Sequence, residues 1–268
     1  MPEDQSKTGE PRSSKLLDRS DGLGERLQVV LARFGIASRR GVVSLIESGQ
    51  VMVNGKAVLQ KGFRVHTSKD KITVEGREFP TQQSFESVYY LFNKPKGVLT
   101  TLQDPYAEHL VADYFREITT RLFPVGRLDR DTTGLLLMTN DGELAFRLTH
   151  PKFGVEKRYR VKVKGLVTDE EAQKLEKGVD LEEGGTAPCV VKIEARNKRE
   201  SVLVVILHEG KKRQIRRIFE SVGHRVVELE RFQYGPLSLG DMKIGQKRRL
   251  NASEVLSLKI AAGLAIRG

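Results

Sequence analysis

Two folded parts, together of the α+β class, are what this sequence predicts: a small N-terminal module and a larger, strand-rich domain. Three observations carry that prediction. Apolar stripes of helical period begin near residue 25 and give way to an Asn-Gly hairpin. A polar stretch led by proline, Pro80-Thr81-Gln82-Gln83-Ser84, then breaks all periodicity. From residue 88 onward, strand patterns recur with short helical stripes between them. The expected boundaries are a disordered tail over 1–24, a module over 25–79, a linker over 80–87 and the larger domain over 88–262.

Residues 1–24 are polar and lack any apolar period, which predicts disorder. They have no apolar centre for a secretory signal, and Glu3, Asp4, Glu10, Asp18 and Asp21 argue against a transit peptide. Leu27, Val30, Leu31 and Phe34 then recur at i, i+3, i+4 and i+7, one face of a helix ended by Gly35. Ser38 is placed to cap a second helix, with Val42, Val43 and Ile46 inward and Gly49 just past its end. Arg39 and Arg40 fall in that helix's first turn, where the helix dipole disfavours a cation unless an anion offsets it. Val51 to Val58 reads as two short strands joined by Asn54-Gly55, and strand-like pieces follow at 63–65 and 71–74.

In the larger domain, Val88 to Phe92 predicts a strand, and Asn93-Lys94-Pro95-Lys96-Gly97 a basic turn leading into Val98-Leu99-Thr100. Residues 103–121 predict loop and short helix. Leu135-Leu136-Leu137-Met138 is a continuous apolar run expected of a buried strand, closed by the turn Thr139-Asn140-Asp141-Gly142 and followed by a helix near Glu143 to Leu148. From Arg158 to Gly165 the chain alternates strictly, with Tyr159, Val161 and Val163 on one face and cations on the other. Thr168 to Glu171 is a capping box opening a helix that stops at Gly178. Strands are expected around 187–193 and 201–207. Ile215, Ile218, Phe219 and Val222 then form the inward stripe of a helix ended by Gly223. Strands at 225–229 and 232–234, and a solvated basic edge at Lys247-Arg248-Arg249, complete the domain.

The 268 residues carry 46 Lys and Arg against 35 Asp and Glu, a net charge of +11 that favours a polyanionic partner. No apolar run nears the roughly 20 residues needed to span a bilayer, so membrane residence is not expected. The single cysteine, Cys189, excludes an intrachain disulfide and a Cys-based metal cluster, and fits a reducing compartment. The five histidines form no pair at helical spacing, so no metal site is expected. The phosphate-loop, dinucleotide and nucleophile-elbow motifs are absent.

Chemistry is then left to carboxylates, a tyrosine and arginines. Gly126-Arg127-Leu128-Asp129-Arg130-Asp131-Thr132-Thr133-Gly134 holds two acids and two arginines between glycines, directly ahead of the buried strand. A rigid strand fixes such a loop while the loop exposes its side chains. A carboxylate there can serve as nucleophile, general base or structural anion, and by spacing alone either Asp129 or Asp131 qualifies. Five of the seven residues from Lys211 to Arg217 are cationic. On a helical wheel Arg217 faces away from the apolar stripe, while Gln214 and Arg216 flank it. An arginine brought near Asp129 would hold that carboxylate ionised, which suits a nucleophile.

Residues 25–75, with Ala37-Ser38-Arg39-Arg40 and Val51-x-Val53-Asn54-Gly55, resemble the S4 RNA-binding module. That resemblance implies phosphate contacts from Arg39, Arg40 and Lys56. Gly126 to Asp129 with Thr133 to Leu137 and Thr139 to Gly142, the tyrosine strand Glu156 to Val161, and Glu209-Gly210-Lys211 with Arg213 to Arg217 resemble the three signatures of the RsuA/RluB-type ribosomal RNA pseudouridine synthases. Together the resemblance spans 25 to about 260. It implies an S4 module beside a catalytic domain on a mixed, largely antiparallel sheet flanked by helices. It further implies isomerisation of a uridine in ribosomal RNA or a ribosome-assembly intermediate, in the cytoplasm, by a monomer, without metal, nucleotide or redox cofactor. Asp129 would be the nucleophile, at C6 of the ring or C1′ of the ribose. Tyr159 would stack on the flipped base near its C5 proton, and Arg216 would pair with Asp129. Lys211, Arg213, Arg217 and Arg127 would hold flanking phosphates. Gly178 to Gly184 and His150-Pro151 look closer to the B-type enzymes, which act on large-subunit rRNA, than to those acting on small-subunit rRNA. The alternatives are a small-subunit rRNA enzyme, a non-catalytic RNA-binding or ribosome-assembly factor, and a DNA-binding regulator using 25–49 as a helix-turn-helix.

Overall fold

The computed structural model describes residues 24–80, 86–181 and 184–264. Apart from Gly24, the tail expected over 1–24 lies outside the described residues, as do residues 81–85 of the expected linker. The chain divides into two compact units, Met1–Phe85 and Glu86–Gly268.

In the first unit, α1 (Leu27–Arg33) and α2 (Arg39–Glu47) bury Leu27, Val30, Leu31, Val42 and Ile46 against a small sheet. Ser38 caps α2 as its position predicts, accepting a hydrogen bond from the Gly41 N–H at 3.0 Å. Strands β1 (Glu25–Arg26) and β4 (Arg64–Val65) pair with each other. The second sheet comprises β2 (Val51–Val53), β3 (Lys56–Ala57), β5 (Ile72–Val74) and β6 (Arg77–Phe79), in the order β3-β2-β5-β6. Asn54 and Gly55 both take positive φ, 51° and 75°, the mirror-image turn that suits a two-residue hairpin. Arg39, Arg40 and Lys56 are all exposed.

Among the described residues of the second unit, nine strands make one mixed sheet. They are β7 (Tyr89–Lys94), β8 (Phe123–Pro124), β9 (Thr133–Thr139), β10 (Lys157–Lys164), β11 (Val190–Arg196), β12 (Glu200–Leu207), β13 (Val226–Tyr234), β14 (Leu237–Ser238) and β15 (Lys247–Arg249). The main path runs β11-β12-β10-β13-β9-β7-β15, and every pairing is antiparallel except β13 with β9. The apolar run on β9 is buried on both faces, Leu136 and Met138 in one cluster and Leu135 and Leu137 in the other. Helices α4 (Asp169–Glu176) and α5 (Gln214–Glu220) pack on the first cluster, and α3 (Gly142–Thr149) and α6 (Ala252–Ala261) on the second.

Three expectations differ in detail. The segments 225–229 and 232–234 are one continuous strand, β13, because Arg231 is only 2% exposed and sits within the sheet. Residues 187–189 precede β11; the Cys189 N–H is taken by the carbonyl of Glu176 at the end of α4. The basic run 247–249 is the edge strand β15, and its cations are engaged: Lys247 with Glu117 at 2.6 Å, Arg248 with Glu254 at 2.7 Å, and Arg249 with Glu86. The cationic face of β10 is matched likewise, Arg158 by Glu156, Arg160 by Glu194 and Lys162 by Glu200. Neither run is a free basic surface.

Candidate active site

The segment 126–132 hangs between β8 and β9, and the four consecutive backbone carbonyls from Leu128 to Asp131 are occupied. Leu128 O accepts from the Thr100 hydroxyl at 2.6 Å, and Arg130 O from the Gly97 N–H at 2.8 Å. Asp129 O accepts from the Thr132 N–H at 3.1 Å, closing a tight turn. Asp131 O accepts from Arg216 Nη2 at 3.1 Å. Leu128 is buried beneath the turn. The backbone is thereby fixed while the Asp129 carboxylate is left over: among the described residues no hydrogen bond or close ion pair reaches it.

The carboxylate lines a cleft of about 260 Å³ whose walls include Tyr159, Leu229 and Ile215. Small-molecule sites run from roughly 300 Å³ upward, so this cleft lies near the small end of that range, with room for a single base. Tyr159 comes from β10, where it shares the inward face with Lys157, Val161 and Val163. Arg127, Lys211 and Arg213 stand along the same cleft. Arg213 precedes α5 in a left-handed conformation, φ 51° and ψ 31°. Lys211 donates from its amide to Gln214 Oε1 at 3.0 Å, and Gln214 donates to Glu209 Oε1 at 2.7 Å, which pins the turn into α5.

One predicted contact is not found. Arg216, expected to pair with Asp129, does not line the cleft. Its Nη1 donates to Val226 O at 3.3 Å, its Nη2 to Asp131 O, and its buried Nε has no partner. Burial, and then the charge of Arg213, push the Arg216 guanidinium below its ordinary pKa, while Asp131 and Asp129 act in the opposite sense. The arginine therefore braces the loop through its backbone, and Asp129 acts on it through space. Position around α5 contributes to this: the stripe Ile215, Ile218 and Phe219 is buried in the core, and Arg216 beside it reaches the backbone of Val226 and Asp131. Arg217 is also outside the cleft.

Three cations that the sequence did not single out stand close to the loop and cleft. Lys94 is fully buried, and its ammonium donates to the carbonyls of Val98 at 2.8 Å, Pro95 at 2.9 Å and Arg130 at 3.5 Å, tying the 94–98 turn to the acid's loop. Lys157 and Arg231 line the cleft while being only 6% and 2% exposed. The sequence held a signal for Lys157 that its charge masked: it lies two residues before Tyr159, in the same alternating phase.

Burial pushes the ammonium groups of both Lys94 and Lys157 down to about 8; Asp129 and Asp131 offset part of this for Lys94, and Arg231 adds to it for Lys157. In the unfolded chain both titrate near 10.4. Between those values the unfolded state binds more protons, so stability rises with pH. The melting temperature of the wild type is expected to climb from about pH 8 to about pH 9.5, below the range where tyrosines ionise. Lys157→Met is expected to flatten that climb. A slope unchanged in the variant would show that this lysine keeps its ordinary pKa, and with it its charge, inside the fold.

An acid on a braced loop, with no hydrogen bond or close ion pair among the described residues, shares its cleft with an aromatic wall and several cations, an arrangement that fits one base of a polyanionic chain. Comparison with known proteins agrees. Residues 88–221 match the RNA pseudouridylate synthase family, and residues 25–72 match the S4 domain. Ribosomal large subunit pseudouridine synthase B of Bacillus subtilis is 45% identical over 240 residues, which span 89% of this chain and 97% of that protein. An uncharacterized RNA pseudouridine synthase of Aquifex aeolicus is 36% identical over 89% of this chain and 95% of its own. The crystal structure of a pseudouridylate synthase superposes with a TM-score of 0.63 at 29% identity, covering 87% of this chain and 99% of that one. The chain belongs to the RNA pseudouridylate synthase family, with an S4 domain at its N-terminal side. Among the described residues no cluster of His, Cys, Asp or Glu could hold a metal, and no helix is long and apolar enough to cross a membrane.

Proposed function

We propose that this enzyme converts a uridine of large-subunit ribosomal RNA to pseudouridine in the cytoplasm, as a monomer and without a cofactor, with Asp129 as the nucleophile. The observation that carries the proposal is the unpaired Asp129 carboxylate on a braced loop, in the same cleft as Tyr159. The large-subunit target is supported by the Bacillus subtilis relative, which is named for that rRNA.

Residues 25–79 grip structured RNA through Arg39, Arg40 and Lys56, residues 80–87 link, and residues 88–262 carry the chemistry. Arg127, Lys211 and Arg213 line the rim at the cleft, and with Arg217 they hold the phosphates beside the flipped nucleotide. Flipping costs a few kcal/mol, which those contacts and stacking on Tyr159 offset. Asp129 then adds to C6 of the uracil ring or to C1′ of the ribose, the C1′–N1 bond breaks, the base turns and C5 bonds to C1′, and the bond to Asp129 breaks to free the carboxylate, while N1 takes up a proton and C5 gives one up. Tyr159 lies near the C5 proton that is then lost. Arg216 serves by fixing the Asp131 carbonyl, so its removal should displace the loop that carries the acid.

Mapping pseudouridines in ribosomal RNA from cells with and without the protein tests the proposal. One large-subunit position is expected to revert to uridine and to be restored by the wild-type gene. Loss of a small-subunit position instead would move the target, and an unchanged map would refute the activity on ribosomal RNA.

A further inference from the structure

Two buried cations, Lys157 and Arg231, line the cleft, and among the described residues neither makes a salt bridge. Lys157 and Tyr234 are cross-strand partners on β10 and β13, as are Tyr159 and Arg231. The Lys157 ammonium lies 5.4 Å and the Arg231 guanidinium carbon 4.8 Å from the centre of the Tyr234 ring. Both charges therefore share one aromatic support. The Tyr234 hydroxyl is turned away, donating to Leu148 O at 2.7 Å.

Arg231 donates from Nε to Leu135 O at 2.8 Å, and its buried Nη2 has no partner. Lys157 donates to Val155 O at 3.0 Å, one acceptor for three N–H bonds. The acid that acts on Lys157, Glu209, is already engaged by the Ala187 N–H and the Gln214 amide. Like charges buried together repel, and unmade hydrogen bonds in a dry site are costly, so the arrangement is stabilised by an acceptor arriving from the cleft.

Resting on the uridine chemistry proposed above, we propose that Lys157 and Arg231 form an oxyanion site for the carbonyl oxygens of the uracil ring. Either route of attack puts charge there. If the Asp129 oxygen bonds to C6, the C5–C6 π pair moves to O4 as an enolate. If it bonds to C1′, the C1′–N1 pair passes into the ring and spreads over O2 and O4. Donors already fixed and desolvated stabilise that charge without reorganising. The same donors disfavour cytosine, whose 4-amino group would meet them with another donor.

The test compares Lys157→Met and Arg231→Met with wild type in single turnovers on an RNA carrying either uridine or 5-fluorouridine at the target. Fluorine withdraws electrons, so the fluorinated base bears its charge with less help. On uridine, cleavage of the N1–C1′ bond is expected to slow about 10²-fold, with RNA affinity held within about twofold. On 5-fluorouridine the loss is expected to be about tenfold smaller than on uridine. Lys157→Met carries the test should Arg231→Met fail to fold. Equal losses on the two substrates, or no loss, overturn the oxyanion site while leaving the activity intact. A wild-type protein without turnover on uridine overturns both.

Discussion

Asp129→Asn is expected to abolish pseudouridine formation, by at least about 10⁴-fold, and to leave RNA affinity within about twofold of wild type. The two effects separate because they draw on different groups. Affinity comes from cations facing phosphates, and the substitution touches none of them. The reaction needs a carboxylate oxygen that forms a bond, and a neutral amide is a poor substitute. Stability should also hold, since the Asp129 side chain makes no hydrogen bond or close ion pair among the described residues and the amide matches its shape. Asp131→Asn is the control. Asp131 is exposed, and the contact it makes with Arg216 uses its backbone carbonyl, which the substitution preserves. Its activity should fall less than about tenfold. Radiolabel release or mass spectrometry on an rRNA fragment, together with filter binding, reads both quantities. An active Asp129→Asn protein would eliminate this nucleophile, and a dead Asp131→Asn with an active Asp129→Asn would transfer the role. Binding kept by a protein that never modifies RNA would favour a plain RNA-binding factor.

What the letters revealed and what they hid divide along physical lines. Patterns that depend on one element's own period or cap were legible. Ser38 capping α2, Asn54-Gly55 turning a hairpin, the Thr168–Glu171 capping box and the inward phase of Tyr159 all belong here. Contacts that depend on where a long side chain ends were not. Arg216 flanks its helix stripe as the wheel predicts, yet it reaches a carbonyl of the loop instead of the acid. Lys94, Lys157 and Arg231 are charged and so read as surface, whereas carbonyls and an aromatic ring hold them inside. A buried Arg231 also explains why β13 looked like two strands. The apolar periodicity records which face is inside, and a cation that goes inside erases the record.

The acid's loop and the cation floor meet at one backbone crossing, and there the other large effect is expected. β9 and β13 run parallel for only two residue pairs, Thr133 with Glu230 and Gly134 with Arg231. At Gly134, φ is +107°, and a Cβ would lie 2.3 Å from Arg231 O and 2.8 Å from Arg231 N. Those are backbone atoms of a central strand, so no side chain can swing aside. Gly134→Ala must part the strands or strain both, at a cost of at least about 3 kcal/mol. For a domain of this size that is a fall of roughly 6–12 °C in melting temperature. Gly154→Ala isolates the conformational share. Gly154 is left-handed, with φ 60° and ψ 24°, and a Cβ there meets nothing within 4 Å, so it should cost only about 1 kcal/mol. Thermal unfolding of the two variants side by side measures the difference, and equal losses would mean that the close approach of β9 to β13 is absent in solution. Activity should fall further than stability in Gly134→Ala, even well below its melting temperature. Gly134 is the second residue of β9, just past the loop that carries Asp129, and Arg231 is its cross-strand partner. Parting the two strands moves the nucleophile away from the cations facing the same base, and a displacement near 1 Å is enough to cost about 10²-fold in rate.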